Sequence, residues 1–176
     1  METLEQAAAQ VATGDSAAFQ IIVSGTSDRL VRLAARLMGN VSDAEDVVQE
    51  AYLKAYRALT ASEFDARSSV TTWLYSIVTR SAIDALRSNK RRKRTASEAL
   101  PEPAFDGLGQ AEARLAVAEL GTLLEGLPAD QRAALVLKSV EGLSTPEIAR
   151  ILECSEGAVE QRLVRARAAL RARSGS

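Results

Sequence analysis

Histidine is absent from this 176-residue chain, and cysteine occurs once, at Cys154. Internal disulfides, ordinary zinc sites and every histidine-dependent catalytic triad are thereby excluded. Aromatic residues make up only 4% and there are 10 glycines, while Ala, Leu, Glu, Arg and Val dominate. That balance favours helix over sheet and argues against a sandwich or barrel. No apolar run approaches the roughly 20 residues needed to cross a bilayer. The first residues, with Glu2 and Glu5, lack the basic and apolar segments of a secretory signal. A cytoplasmic location without membrane insertion is the expectation. Nor is there a phosphate-binding loop, a metal-ligand cluster or an activated nucleophile, so an enzyme is the least expected function and no cofactor is expected.

What is present is unevenly distributed charge. The formal net charge is −1, which by itself suggests indifference to nucleic acid, but the distribution matters more than the sum. Residues 1–86 hold 7 basic and 11 acidic residues, and 95–160 hold 4 and 12. By contrast, 87–94 hold 6 basic residues and no acid, and 161–176 hold 5 and none. Two basic stretches, Arg87 to Arg94 and Arg162 to Arg173, sit on an acidic body.

Helical periodicity starts early. Gly14-Asp15 reads as a stop and a start, after which Phe19, Ile22, Leu30, Leu33, Ala34 and Leu37 recur at helical spacing up to Gly39, with Gly25 a candidate interruption. Ser42 with Glu45 reads as a capping box, and Ala44, Val48, Ala51, Tyr52, Ala55 and Leu59 form one apolar stripe, which predicts a helix over about 43–59. Residues 61–69 have no clear period. Ser69 is placed to cap a long helix carrying Trp73, Leu74, Ile77, Val78, Ile83 and Leu86, which runs into the first basic stretch. Between Thr95 and Gly109 two prolines, two glycines and three acids replace this texture and read as an extended linker, able to span at most roughly 50 Å. The expected organisation is all-α: two small helical domains, 1–94 and 111–176, joined by a flexible linker at 95–110. The halves could then lie well apart on a large partner.

In the second half, helices are expected over Ala111–Glu125 and from about Ala129 to Glu141. Ser144 with Glu147 makes another capping box, with Pro146 in the first turn, so a short helix starts near Thr145 and ends near Leu152. Glu153-Cys154-Ser155 gives a tight turn, Ser155 caps the next helix, and Val159, Leu163, Ala166 and Leu170 form its buried stripe. This is helix-turn-helix spacing, in which Ala149 lets the helices approach and Cys154 is a small core residue. The opposite face carries Glu160, Gln161, Val164, Arg165 and Ala168, flanked by Arg162, Arg167 and Arg171, and suits a major groove and its phosphates. Glu160 interrupts that basic face. It can accept a hydrogen bond from a cytosine amine or turn outward to Arg162 or Arg165. A plain helical hairpin with a solvated basic face is the bland alternative.

In the first half, Asp43, Glu45, Asp46, Gln49 and Glu50 form an exposed acidic patch beside the apolar stripe. The helix macrodipole explains acids in the first turn but not Gln49 and Glu50. Farther on, Trp73 stands at the start of a helix on which Arg80, Asp84 and Arg87 follow on one side and Lys90 and Arg91 open the basic run. An aromatic near a basic helical face is what opened or single-stranded DNA requires, although a core tryptophan and a solvated tail would look the same.

Together these residues resemble a known family. Asp43-Ala-Glu-Asp-Val-Val-Gln-Glu-Ala-Tyr-Leu-Lys-Ala-Tyr-Arg57, Phe64, Thr72-Trp-Leu-Tyr-Ser-Ile77 and Ala82-Ile-Asp84 with Leu86-Arg87 resemble domain 2 of the extracytoplasmic-function group of bacterial sigma factors. Leu127-Pro128, Glu141-Gly-Leu-Ser-Thr-Pro-Glu-Ile-Ala149 and Gly157-Ala-Val-Glu-Gln-Arg-Leu-Val-Arg-Ala-Arg167 resemble its domain 4. The resemblance implies a protein that binds core RNA polymerase and directs it to −10 and −35 promoter elements, usually restrained by an anti-sigma factor. It assigns Asp43, Glu45, Asp46, Gln49 and Glu50 to the polymerase. It assigns Phe64, Asp65, Ser68 and Ser69 to a loop that captures an unstacked −10 base, and Trp73, Arg80, Asp84, Arg87, Lys90 and Arg91 to −10 DNA. Ser155, Glu160, Gln161, Arg162, Val164 and Arg165 fall on −35 DNA. The linker acids Glu98, Glu102 and Asp106 could mimic nucleic acid in the RNA-exit path.

The chain departs from the family's pattern at three places: many relatives have Asn at Arg80, Gly at Glu153 and a basic residue at Glu160. The few aromatics suggest limited ability to melt duplex unaided. Two rival functions remain at this level. A helix-turn-helix regulator acting without replacing sigma would use 144–171 but leave the patch at 43–50 and the loop at 61–69 idle. A helical protein-protein adaptor would use only the charged surfaces.

Overall fold

A computed structural model describes residues 3–95 and 108–174, with the side chains of 91–95 and 108–110 excepted. Among the described residues the regular structure is helical throughout: α1 (Leu4–Ala12), a 3-10 turn (Ser16–Ala18), α2 (Phe19–Met38), α3 (Val41–Thr60), α4 (Val70–Thr95), α5 (Leu108–Leu124), α6 (Ala129–Ser139), α7 (Thr145–Ile151) and α8 (Glu156–Ser174). In the first half α2, α3 and α4 pack on one another, with α1 along them; in the second, α6, α7 and α8 form a compact trio.

The first half follows from its apolar stripes. Ile22, Leu30, Leu33 and Leu37 of α2 meet Ala44, Val48, Ala51, Ala55 and Leu59 of α3 and Val70, Leu74, Val78 and Ala82 of α4, all buried. The alanines of α3 let the backbones approach closely. Phe19 meets the rings of Tyr52 and Tyr56 edge-on, with centroids 6.0 and 5.2 Å away. Gly25 does not interrupt α2; it faces Leu4 of α1, whose Cδ2 would lie 3.1 Å from a Cβ there. The expected capping box at Ser42 is also corrected. Gly39 ends α2 in the left-handed conformation at φ 72°, the next residue is extended, and the Asn40 side chain accepts from the Asp43 N–H at 3.1 Å. Asparagine after a glycine stop starts α3 two residues earlier than a Ser-x-x-Glu count suggests, leaving Ser42 inside the helix.

Other caps lie where the sequence places them. Ser69 Oγ accepts from the Thr72 N–H at 3.1 Å, and Ser155 Oγ from the Ala158 N–H at 3.1 Å. Ser144 and Glu147 form the reciprocal box, the carboxylate accepting from the Ser144 N–H at 2.8 Å and its hydroxyl at 2.6 Å. The Ser144 hydroxyl, and after it the Ser144 N–H, hold the Glu147 carboxyl below its ordinary range. The box therefore acts at full strength above the unfolded carboxylate range and fades as pH falls through the depressed native value. Thermal unfolding should show Glu147→Gln melting below the parent at pH 7, with the gap closing in acid; a constant gap would show that charge is not what the box uses.

The expected linker at 95–110 lies mostly outside the described residues, as do Glu98, Glu102 and Asp106, while 108–110 already belong to α5. The two halves do not stand apart here. α5 lies against α2, and α4 packs against α6 and α7. The buried core is continuous across both halves.

Candidate polymerase and nucleic-acid interfaces

Three surfaces carry the residues singled out from the sequence. On α3, Asp43, Glu45, Asp46, Gln49 and Glu50 are all exposed, while Ala44, Val47, Val48 and Ala51 between them are buried. The helical period separates the row cleanly from the core. Glu50 also pairs with Lys54 at 2.7 Å, and Lys54 donates to Ser81 Oγ of α4 at 3.0 Å, so one end of the patch is tied down.

The loop from α3 to α4 holds two non-glycine residues in the left-handed region, Ser62 at φ 56° and Ala66 at φ 54°. Asp65 accepts from the Arg67 N–H at 3.2 Å and pairs with the Arg67 guanidinium at 3.0 Å. Ser68 is half-buried and Ser69 is the α4 cap. Phe64 and Trp73 pack against each other as a tilted pair, half-buried, with centroids 4.8 Å apart and ring planes 42° apart. The tryptophan is thus neither a core residue nor a free platform. One aromatic pair closes the base of the loop at the entry to α4, leaving ring surface toward solvent. Glu5 of α1 accepts from the Val70 N–H at 3.4 Å, a cap contributed from outside the local sequence.

Along α4, Arg80, Asp84, Arg87 and Lys90 are exposed, and the side chain of Arg91 lies outside the described residues. Two of these cations are occupied. Arg80 Nη2 lies 2.9 Å from Glu153 Oε1, in the turn between α7 and α8, and Arg87 donates to both Asp130 oxygens of α6 at 3.0 Å.

On α8, Glu160, Gln161, Val164 and Arg165 are exposed and Val159, Leu163 and Ala166 are buried. Val164, at 63%, is one of the most exposed large apolar residues described. Arg162 departs from the expected arrangement. It is half-buried, donates to Cys154 Sγ at 3.2 Å and lies 3.9 Å from Asp130. Its position on the helix puts it between the outer face and the core, so it braces the turn. Glu160 is not turned to Arg162 or Arg165; its Oε1 accepts from Thr145 Oγ1 of α7 at 2.9 Å.

The comparisons with known proteins give these surfaces a setting. Residues 22–92 match the model for sigma-70 region 2, and residues 118–170 the model for sigma-70, region 4. The ECF RNA polymerase sigma factor SigC of Mycobacterium tuberculosis (strain CDC 1551 / Oshkosh) is 34% identical over 169 residues, covering 96% of this chain and 90% of that protein. The chain belongs to the extracytoplasmic-function sigma factors. It therefore serves promoter-directed transcription initiation by RNA polymerase. SigW of Bacillus subtilis (strain 168) is likewise 34% identical, over 92% of this sigma factor and 91% of its own length. Among solved structures, CnrH in complex with the cytosolic domain of CnrY covers 94% of this chain and 93% of its own, with a TM-score of 0.67 and 31% identity. The sigma factor RpoE in complex with the anti-sigma factor NepR from Bartonella quintana covers 87% and 94%, with a TM-score of 0.60 and 25% identity.

Some residues of consequence escaped the sequence reading. Arg132 of α6 is buried and donates to Leu37 O of α2 at 3.0 Å and Gly121 O of α5 at 2.7 Å. Arg36 of α2 pairs with Glu141, which also accepts from the Tyr75 hydroxyl at 3.4 Å. A signal did exist for Arg132, an arginine set among Ala133, Ala134, Val136 and Leu137 on an apolar face.

Proposed function

We propose that this sigma factor uses the α3 row for core polymerase, the 61–69 loop and outer side of α4 for the −10 element, and the outer face of α8 for the −35 element. The observation that carries this reading is the exposed, mostly carboxylate row on α3. It lies over a buried apolar stripe, so burial does not explain Gln49, and Glu50 has only its exposed pair with Lys54 to tie it to the fold. The Phe64–Trp73 pair beside a basic helix supports the −10 assignment, because stacking and cations are what opened DNA requires. On α8 the base-facing set is Glu160, Gln161, Val164 and Arg165, with Ser155 and Arg162 holding the turn.

The organisation we assign is domain 2 over 1–94, a linker over 95–110 and domain 4 over 111–176. The protein acts in the cytoplasm, without enzymatic chemistry of its own and with no cofactor. No described helix is long and apolar enough to cross a membrane. An anti-sigma factor is the expected restraint, since the solved relatives CnrH and RpoE were captured with such partners or with CnrY. Run-off transcription on a promoter library tests the whole reading. Core polymerase plus the chain should yield discrete start sites that core alone does not, and their absence would favour a regulator or adaptor that leaves polymerase's own sigma in place.

A further inference from the structure

Resting on the reading of residues 61–69 as the loop that captures a −10 base, we propose that α1 acts as a strut for this loop and that Glu5 is a positioning residue for base discrimination. The loop has a strained backbone. Ser62 and Ala66, on either side of Phe64, stand at φ 56° and 54°, where a Cβ is disfavoured. A conformation of this kind persists only when the surrounding structure holds it. The near end is held locally, the Glu63 N–H donating to Ala58 O of α3 at 2.8 Å. The far end is held at the start of α4. There Ser69 Oγ accepts from the Thr72 N–H at 3.1 Å, and Glu5 Oε1 accepts from the Val70 N–H at 3.4 Å across 65 positions of sequence. Val70 is fully buried, so Glu5 covers a first-turn N–H that has no intrahelical acceptor and no access to water.

Packing brings α1 to this place. Ala7, Ala8 and Val11 are buried, and the helix lies against α2, α3 and α4 together. Gly25 of α2 lets Leu4 approach, since a Cβ there would stand 3.1 Å from Leu4 Cδ2. Thr3 and Gln6 close a reciprocal capping box over the first turn of α1, with bonds of 3.1 and 2.9 Å. Glu5 stands in that fixed turn. A carboxylate at the start of α4 also meets the positive end of its backbone dipoles, which favours the placement beyond the single hydrogen bond. A shift in the first turn of α4 would move Ser69, Thr72 and Trp73 together, and Trp73 carries Phe64, their ring centroids 4.8 Å apart. The position of α1 is thus passed to the loop by way of Val70, Trp73 and Phe64. Glu5 touches no base in this arrangement; it fixes where the loop ends.

The test uses holoenzyme, with core polymerase and promoters substituted at the captured −10 position. Glu5→Ala should lower the preference for the favoured base by about two- to fivefold, the scale of a carboxylate lost from a helix start. Preference at the −35 element and affinity for core should stay parental. Glu5→Gln keeps an acceptor oxygen and should retain most of the preference, and Gln10→Ala, at an exposed position of the same helix, should retain all of it. In the free chain, amide hydrogen exchange at Val70 should speed up in Glu5→Ala, with helicity unchanged by circular dichroism. Parental exchange at Val70, or a loss of transcription spread equally over every promoter position, would overturn the positioning role and leave Glu5 a stabilising contact alone. The loop reading beneath it is decided by Phe64→Ala. If that variant leaves the −10 base preference unchanged, the loop is not the reader. If it removes the preference while Glu5→Ala changes nothing, the loop reads and α1 does not position it.

Discussion

Core RNA polymerase should lose this sigma factor when Asp46 and Glu50 are both changed to lysine, with affinity falling by about 100-fold or more. The estimate follows from placing like charge where complementary charge is required, which costs several kcal/mol, each ~1.4 kcal/mol being tenfold. Folding should hardly register the change. Both side chains are exposed and the stripe beneath them, Ala44, Val47, Val48 and Ala51, is untouched. Neither residue lies in the first turn of α3, so the macrodipole contributes little. The main local loss is the Glu50–Lys54 pair at 2.7 Å, which becomes a repulsion of about 0.3–0.5 kcal/mol. A thermal melt close to that of the parent, together with failed co-purification with core, is the expected pair of results. Parental affinity in a calorimetric titration would remove α3 from the polymerase surface.

How much of this was legible in the sequence depended on the range of the interaction. Local devices were readable: the Ser69, Ser155 and Ser144–Glu147 caps, the α3 stripe, and the break at Gly14-Asp15. Each involves groups within four residues of one another, and spacing alone states the geometry. The error at Ser42 was local too, because two adequate caps lay two residues apart and the left-handed Gly39 decided between them. What spacing could not give was anything across the two halves. Arg80 with Glu153, Arg87 with Asp130 and Arg132 with Leu37 are separated by 40 to 100 positions or so, and no periodicity links them. The outward-facing sides of α3, α4 and α8 were therefore legible as exposed surface, but their occupancy was not. Exposed helix faces can be counted from a sequence, but which cation already has a partner cannot. Arg162 shows the same limit, since a position at the border of a helix face turns inward or outward according to what lies opposite, here Cys154 and Asp130.

Glu160 is where the −35 specificity of this protein should differ most from a simple basic face. Its Oε1 is fixed by the Thr145 hydroxyl at 2.9 Å, so the carboxylate is anchored to the first turn of α7 instead of being neutralised by a neighbouring arginine. A carboxylate held in place near a groove cannot favour phosphate, but its remaining lone pairs can accept from a cytosine N4 amine, and Gln161 beside it can pair with an adjacent adenine. Glu160→Ala should then relax the preference at one −35 base pair by about 1–3 kcal/mol and leave other positions unchanged. Thr145→Val keeps the carboxylate and removes its anchor. It should therefore lose part of the same discrimination at the same base pair, which a purely electrostatic role would not produce. If Glu160 merely repelled DNA, Glu160→Ala would tighten binding to all sequences alike and Thr145→Val would do nothing. A base-substitution scan across the −35 element with both variants separates the cases, and a uniform gain at every position in Glu160→Ala would refute base reading by this residue.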